Sequence, residues 1–300
     1  MRVFLSYLLG DGDVVWPGEP TVHIEQFTTI ERDGYNSCKT ILPNHHGTHC
    51  DGPNHFNPNG PKLNDLPISY FWFDRVAVAD IPKKRGEAVV PDDLRPYEAA
   101  IRNADLLLLK TGFCMLRDTQ PRVYESEGPY LSPEVCRYLV ETFPDLNCIG
   151  LDFLSVGTPA NSLSRQAHQI LFGCHNGKFI PAIEDMDLRP LFQTDKKLKT
   201  VVAAPLRLAG VDSSQITVMG EFEDWPAERG TDSAWGRGSH LSANTQSIYR
   251  KKEKCMETKK ANGWTLIPFI VMMALFLCGF PMVTACLCAV ALTFAFAKGK

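Results

Sequence analysis

The sequence predicts an α/β domain with a β-rich N-terminal part. Three observations carry this. Short β-branched or Leu-rich runs recur along the chain, helix-start signals fall between them, and the first sixty residues are rich in turns and strand-like pieces. Strands alternating with helices are the signature of an α/β layer architecture. The composition is that of a globular protein, with 44% hydrophobic and 22% charged residues among 300. A formal net charge of -3 gives no basic excess for nucleic acid to recognise.

Residues 1–10 read as the first strand. Their apolar run is too short for a signal peptide, and Asp11, Gly12 and Asp13 follow without a small-residue cleavage site. This start predicts a cytoplasmic domain. Buried strands are expected at 76–81, 106–109, 148–151, 179–183, 201–208 and 216–219. Ser132 offers a cap, Pro133 a first helical position and Glu134 a first-turn acid, so a helix is expected to run to about Thr142, before Pro144. A second helix is expected over 164–172.

The ten cysteines stand at 38, 50, 114, 136, 148, 174, 255, 278, 286 and 288, with no Cys-x-x-Cys pair, which argues against a zinc ribbon or a thioredoxin-like motif. Scattered in this way they read as reduced thiols. The domain is expected over residues 1–224. Residues 225–263 read as a Gly- and Pro-containing linker, which ends in a basic cluster with six Lys or Arg against two Glu between Arg250 and Lys260. Residues 264–300 form an apolar C-terminal transmembrane tail, free of charge from Leu266 to Ala297. About 20 apolar residues span a bilayer. Gly279-Phe280-Pro281 near the middle implies a kinked span or two short spans. The preceding basic cluster favours a cytoplasmic domain anchored to the inner membrane.

Four of the eight histidines, 45, 46, 49 and 55, lie within eleven residues that also contain Asp51. Imidazole and carboxylate are the usual ligands of zinc, manganese or iron at hydrolytic sites. In an extended segment the even spacings of His45, His49, Asp51 and His55 put all four on one side, with Cys50 and Asn54 pointing away. Gly47, Gly52 and Pro53 bend the path. No Gly-x-Ser-x-Gly elbow, P-loop or dinucleotide fingerprint is present.

The stretch His-x-Gly-Thr-His-x-Asp-x-Pro-x-His, complete from His45 to His55, resembles the signature of the cyclase-like metal hydrolases, which include bacterial kynurenine formamidases and isatin hydrolases. Leu5-Ser6-Tyr7, Trp16-Pro17-Gly18, Leu151-Asp152 and Thr158-Pro159 extend the resemblance over roughly residues 4–220. It implies a swivelling β/β/α-type cyclase domain and one or two divalent ions, zinc or manganese. His45, His49, Asp51, His168 and Glu184 would be metal ligands, and His55 the acid/base. His175 is a rival to His168, because the segment Cys174-His175-Asn176-Gly177-Lys178 looks inserted, and Asp185 is a rival to Glu184.

The reaction implied is cleavage of the C–N bond of an amide, formamide or lactam by a metal-activated water, in the manner of an arylformamidase of tryptophan catabolism. Trp16 and Phe56 are candidate contacts to an aromatic small-molecule substrate, with Tyr70, Phe71, Trp72 and Phe73 either nearby or in the core. A homo-oligomer is implied. Two alternatives stay open: a lactone or cyclic-ketone hydrolase of the same family, and a non-catalytic metal- or ligand-binding module on a transporter-like segment. For the latter, 275–281 resembles the opening of the large membrane subunit of tripartite organic-acid transporters.

Overall fold

A computed structural model describes residues 1–223. The linker and the apolar tail lie outside the described residues, as does the transporter-like segment. Among the described residues no helix is long and apolar enough to cross a membrane.

Among the described residues thirteen strands are formed: β1 Arg2–Phe4, β2 His23–Thr28, β3 Ser37–Ile41, β4 His49–Asp51, β5 Trp72–Phe73, β6 Val76–Asp80, β7 Ala88–Val89, β8 Leu106–Lys110, β9 Tyr130–Leu131, β10 Cys148–Leu151, β11 Ala182–Glu184, β12 Leu198–Pro205 and β13 Ser213–Phe222. Nine of them make one mixed sheet in the order β5-β12-β13-β4-β11-β10-β8-β6, with β1 on β13. β6, β8, β10 and β11 run parallel, and β4 is antiparallel to both its neighbours. β5 and β6, at opposite ends of this order, are separated in sequence only by Asp74 and Arg75, so the sheet nearly closes on itself.

The expected α/β architecture is present, but the β-rich N-terminal part is not a separate layer. Its strands β1 and β4 are built into the main sheet, and only the hairpin β2–β3 stands apart. That hairpin and the turn within it expose Ile24, Phe27, Ile30, Tyr35 and Ile41.

The helix Pro133–Thr142 forms as expected, with the Ser132 hydroxyl accepting from the Val135 amide. The second helix is Ser164–Leu171. Both pack on the face of the sheet where Leu107, Leu109, Ile149 and Leu151 meet Val135, Leu139, Ala167 and Leu171.

The first strand is confined to Arg2–Phe4 rather than residues 1–10, and three further strands have boundaries that differ from expectation. β11 begins at Ala182 rather than Phe179, because the Ile180 amide is used by the Leu171 carbonyl and Pro181 has no N–H to give. β12 runs from Leu198 and stops at Pro205, which likewise lacks the amide a ladder needs. β13 is longer than its apolar run, since it starts with the polar Ser213, Ser214 and Gln215. These are buried, but their side chains reach carbonyls: Ser213 donates to Asn44 O, Ser214 to Leu206 O and Gln215 to Pro43 O.

Candidate metal centre

The pleat of β4 puts His49 and Asp51 on one face of the sheet. The antiparallel register sets Glu184 of β11 directly across from His49. Cys50 takes the opposite face and is buried with Leu5, Phe73, Leu108 and Ile183, as a variable position of the motif should be. On one side of β4 a turn with Gly47 at φ 65° returns His45 to the site. On the other side Gly52 and the turn Pro53–His55 fold His55 back over the strand. His168 arrives from the buried side of the helix Ser164–Leu171.

Asp51 lies at the middle. Its Oδ1 is 2.9 Å from His45 Nδ1 and 3.3 Å from His49 Nε2, and its Oδ2 is 3.7 Å from His55 Nε2 and 4.0 Å from His168 Nε2. Glu184 places Oε2 3.4 Å from His49 Nε2 and Oε1 3.6 Å from His168 Nε2. The five residues named for a metal and the one named as acid/base therefore converge. His175, the rival histidine, is exposed in the turn beyond the helix. Asp185, the rival acid, faces away from this cluster and is bound by Arg117 and Tyr124.

Outer contacts settle which nitrogen of each ring is free. His49 Nδ1 is 2.7 Å from Gly47 O, and His168 Nδ1 is 2.7 Å from Ser164 O. A carbonyl only accepts, so both Nδ1 atoms carry hydrogen and both Nε2 atoms present a lone pair to the site when the ring is neutral. Glu184 is steered in the same way. Ser155 Oγ and the Val156 amide donate to its Oε1 at 3.0 and 2.7 Å, which leaves Oε2 for the cluster.

His49 Nε2 and Asp51 Oδ1 are buried and make no hydrogen bond of acceptable geometry. Buried polar atoms are rarely left so. Two donors bound to one zinc at about 2.0–2.1 Å stand about 3.3 Å apart at the tetrahedral angle. That is the separation of His49 Nε2 from Asp51 and from Glu184. The sets His49, Asp51, Glu184 and His45, Asp51, His55 each hold three ligand atoms within 4.8 Å of one another. Imidazole nitrogens and carboxylate oxygens at this spacing fit a divalent cation.

In the metal-free protein these groups neutralise one another. Burial opposes charge on His45, but the carboxylates of Asp51 and Asp212 outweigh it and push the imidazole up to about 9. Burial is likewise overcome at His49, which Asp51 and Glu184 hold well above the ordinary histidine value. Burial would raise Asp51, yet His55 and His45 hold it well below the ordinary carboxylate range. For Glu184, burial and Asp51 raise the carboxyl, while the neighbouring imidazoles of His168 and His49 bring it to about 2. His46 is the contrast: it is buried, neither ring nitrogen is bonded, and burial depresses its pKa, so it is a neutral packing residue at a variable motif position.

The cluster floors a cleft of about 240 Å³ walled by Val14, Trp16, Glu19, Phe56 and Leu154. Trp16 and Phe56 thus stand where the sequence places them, and Phe56 also stacks on His168 with ring centroids 4.5 Å apart. The aromatic run 70–73 does not reach the cleft. Phe71 and Phe73 are buried in the core on the other face of the sheet, and Trp72 is exposed, because a strand in that register has only core on one side and solvent on the other.

A Cyclase family model matches residues 3–158. The chain belongs to the cyclase family. Among its cyclase relatives is the kynurenine formamidase of Geobacillus thermodenitrificans, 29% identical over 214 residues, which are 71% of this chain and 93% of that protein. An uncharacterised protein of Haemophilus influenzae is 36% identical over 119 residues, 40% of this chain and 84% of that one. Isatin hydrolase A of Labrenzia aggregata, solved with benzyl benzoate, shares the cyclase fold, with a TM-score of 0.60 at 20% identity over 73% of this chain and 93% of that chain.

One residue at the cluster has no counterpart in the sequence reading. Asp212, just ahead of β13, brings a single oxygen, Oδ2, to 2.9 Å from both His45 Nε2 and His55 Nδ1. It stands far along the chain in Val211-Asp212-Ser213-Ser214, a stretch that reads as an ordinary turn. Only the β13–β4 pairing, with Ser213 opposite Asp51, carries it to the motif.

Proposed function

We propose that this cyclase is a metal-dependent hydrolase that cleaves the C–N bond of a small amide, formamide or lactam. His45, His49, Asp51, His168 and Glu184 are the residues proposed to hold one or two divalent ions, zinc or manganese. The observation that carries the reading is the pairing of this set, buried except for the half-buried His45, with His55, whose Nδ1 is tied to Asp212 and whose Nε2 faces Asp51 at the floor of the cleft. A bound divalent ion lowers the pKa of water to about 7 and polarises a carbonyl. His55 Nε2 is placed to take the proton that water gives up on attacking the carbonyl, and to deliver it to the departing nitrogen as the C–N bond breaks. Trp16 and Phe56 give the wall an aromatic character that suits a ring next to the scissile bond. The kynurenine formamidase and isatin hydrolase names of the relatives and neighbours favour the same class.

The test is a metal analysis of the full chain followed by a screen of aryl formamides, isatin-like lactams and lactones. Hydrolysis of the first two groups but not of lactones supports the reading. Turnover of lactones alone moves it to the other branch of the family, and metal without turnover of any of them favours a binding module. Within the reading, His55→Ala is expected to lower kcat by about 10²–10⁴-fold with metal content unchanged. Loss of the metal in that variant rules out a purely acid/base role.

The domain is proposed to lie in the cytoplasm, held at the inner membrane by the uncharged run from Leu266 to Ala297 behind its basic cluster. A second copy of the chain is proposed to cover the apolar side chains of the β2–β3 hairpin. A chain ending at residue 240 is expected to leave the membrane fraction, to keep its turnover and to sediment above the monomer mass. A truncated chain that stays with membranes excludes the tail as the anchor.

A further inference from the structure

We propose that Asp212 is a positioning residue that sets the tautomers of His45 and His55 together, and so couples the metal donor set to proton transfer. The inference deepens the hydrolase reading and rests on it for the role of His55. Its Oδ2 meets His45 Nε2 and His55 Nδ1 at 2.9 Å each, with the two rings 4.1 Å apart between centroids and tilted by 34°. A carboxylate accepts and does not donate, so both facing nitrogens carry hydrogen. In neutral rings the lone pairs then fall on His45 Nδ1, beside Asp51 Oδ1, and on His55 Nε2, beside Asp51 Oδ2. One oxygen thus points a donor atom of His45 at the cation site and the proton-accepting atom of His55 at the same carboxylate.

The rest of Asp212 is held against the motif. Its Oδ1 accepts from Asn44 Nδ2 at 2.8 Å, and its carbonyl accepts from the Gly52 amide at 2.9 Å. Gly52 is required for that approach. A Cβ there would stand 2.8 Å from Asp212 O, closer than real Cβ atoms come, and 3.0 Å from the Leu63 backbone, a tight contact of its own. The glycine of the motif therefore seats Asp212, and Asp212 orients two of the motif's histidines. His49 and His168 have their own carbonyl partners and do not depend on it.

The experiment compares the full chain with Asp212→Asn. An asparagine keeps the size but loses the charge, and if its one accepting oxygen stays between the two rings its N–H2 group meets the Asn44 Nδ2 donor. The expected result is a metal affinity lower by about 10–100-fold, measured by competition with a chelating dye. In turnover assays with metal saturating, kcat should fall with KM little changed. Ring nitrogen NMR of the zinc-loaded wild type should show His55 protonated on Nδ1 and His45 on Nε2. That spectrum needs no variant, so the test stands even where Asp212→Asn fails to fold. The opposite tautomer at either ring, or an Asp212→Asn protein that binds metal as tightly as wild type, overturns the proposal. A wild type with these tautomers and this metal dependence that hydrolyses none of the amides sinks the proposed function and leaves the role of Asp212 intact. A wild type that takes up no metal overturns both.

Discussion

Asp51→Asn is expected to strip the protein of metal and of activity together. Asp51 is the one residue common to both candidate ligand sets, and its two oxygens meet His45, His49, His55 and His168 between 2.9 and 4.0 Å. The amide is nearly isosteric, so β4 keeps its pairing with β11 and β13, but the negative charge at the centre of four imidazoles is gone. Loss of an outer partner of a metal ligand typically costs about 10–100-fold in affinity, and loss of the shared central carboxylate should exceed that range. Elemental analysis should fall from one or two equivalents of metal to a trace, with turnover at background. Retention of a full equivalent places the ion elsewhere and removes Asp51 from the proposed set.

The same electrostatics give the wild type a pH dependence. In the metal-free protein His45 is held up to about 9 by Asp51 and Asp212, so it carries a proton that must leave when a cation binds. Metal affinity is therefore expected to rise with pH through the range up to about 9. A flat affinity between pH 6.5 and 9 contradicts it.

Arg117→Met is expected to be the most destabilising exchange away from the cleft. Arg117 is buried at 5% exposure and binds Asp185 through Nε at 2.8 Å and Nη2 at 2.7 Å, with its guanidinium 3.9 Å above the Tyr7 ring. Tyr124 also donates to Asp185 Oδ1 at 2.7 Å. Asp185 is 1% exposed, and it is the one non-glycine at positive φ among the described residues, at 51°. Removing the arginine leaves a buried carboxylate short of its cation on a strained backbone. Breaking a buried pair on one side costs about 3–5 kcal/mol, which in a domain of this size lowers Tm by on the order of 10 °C. Because Asp185 follows Glu184, and its carbonyl accepts from Thr48 of the motif, metal affinity should fall as well. Arg117→Lys, which keeps the charge but loses the two-point contact, should lose less. A melting temperature within 2 °C of wild type for Arg117→Met is the outcome that contradicts the argument.

The sequence by itself determined the family, the α/β class and most of the residues that converge at the candidate site. The period-two spacing of His49 and Asp51 needs nothing beyond a strand to place both on one face, and the Ser132-Pro133-Glu134 start marks where its helix begins by a local cap. His45 and His55 are carried by turns that Gly47, Gly52 and Pro53 announce. Tertiary structure decided whatever depends on pairing between distant segments. The β4–β11 register chose Glu184 over Asp185, since an antiparallel partner opposite His49 shares its face while the next residue turns to Arg117. The helix packed on the sheet chose the buried His168 over the exposed His175. Asp212 was invisible for the same reason: a carboxylate in a turn has no local signature, and its role exists only because β13 pairs with β4. The polar start of β13 was hidden too, because its burial is offset by carbonyls of loops that no local pattern connects to it.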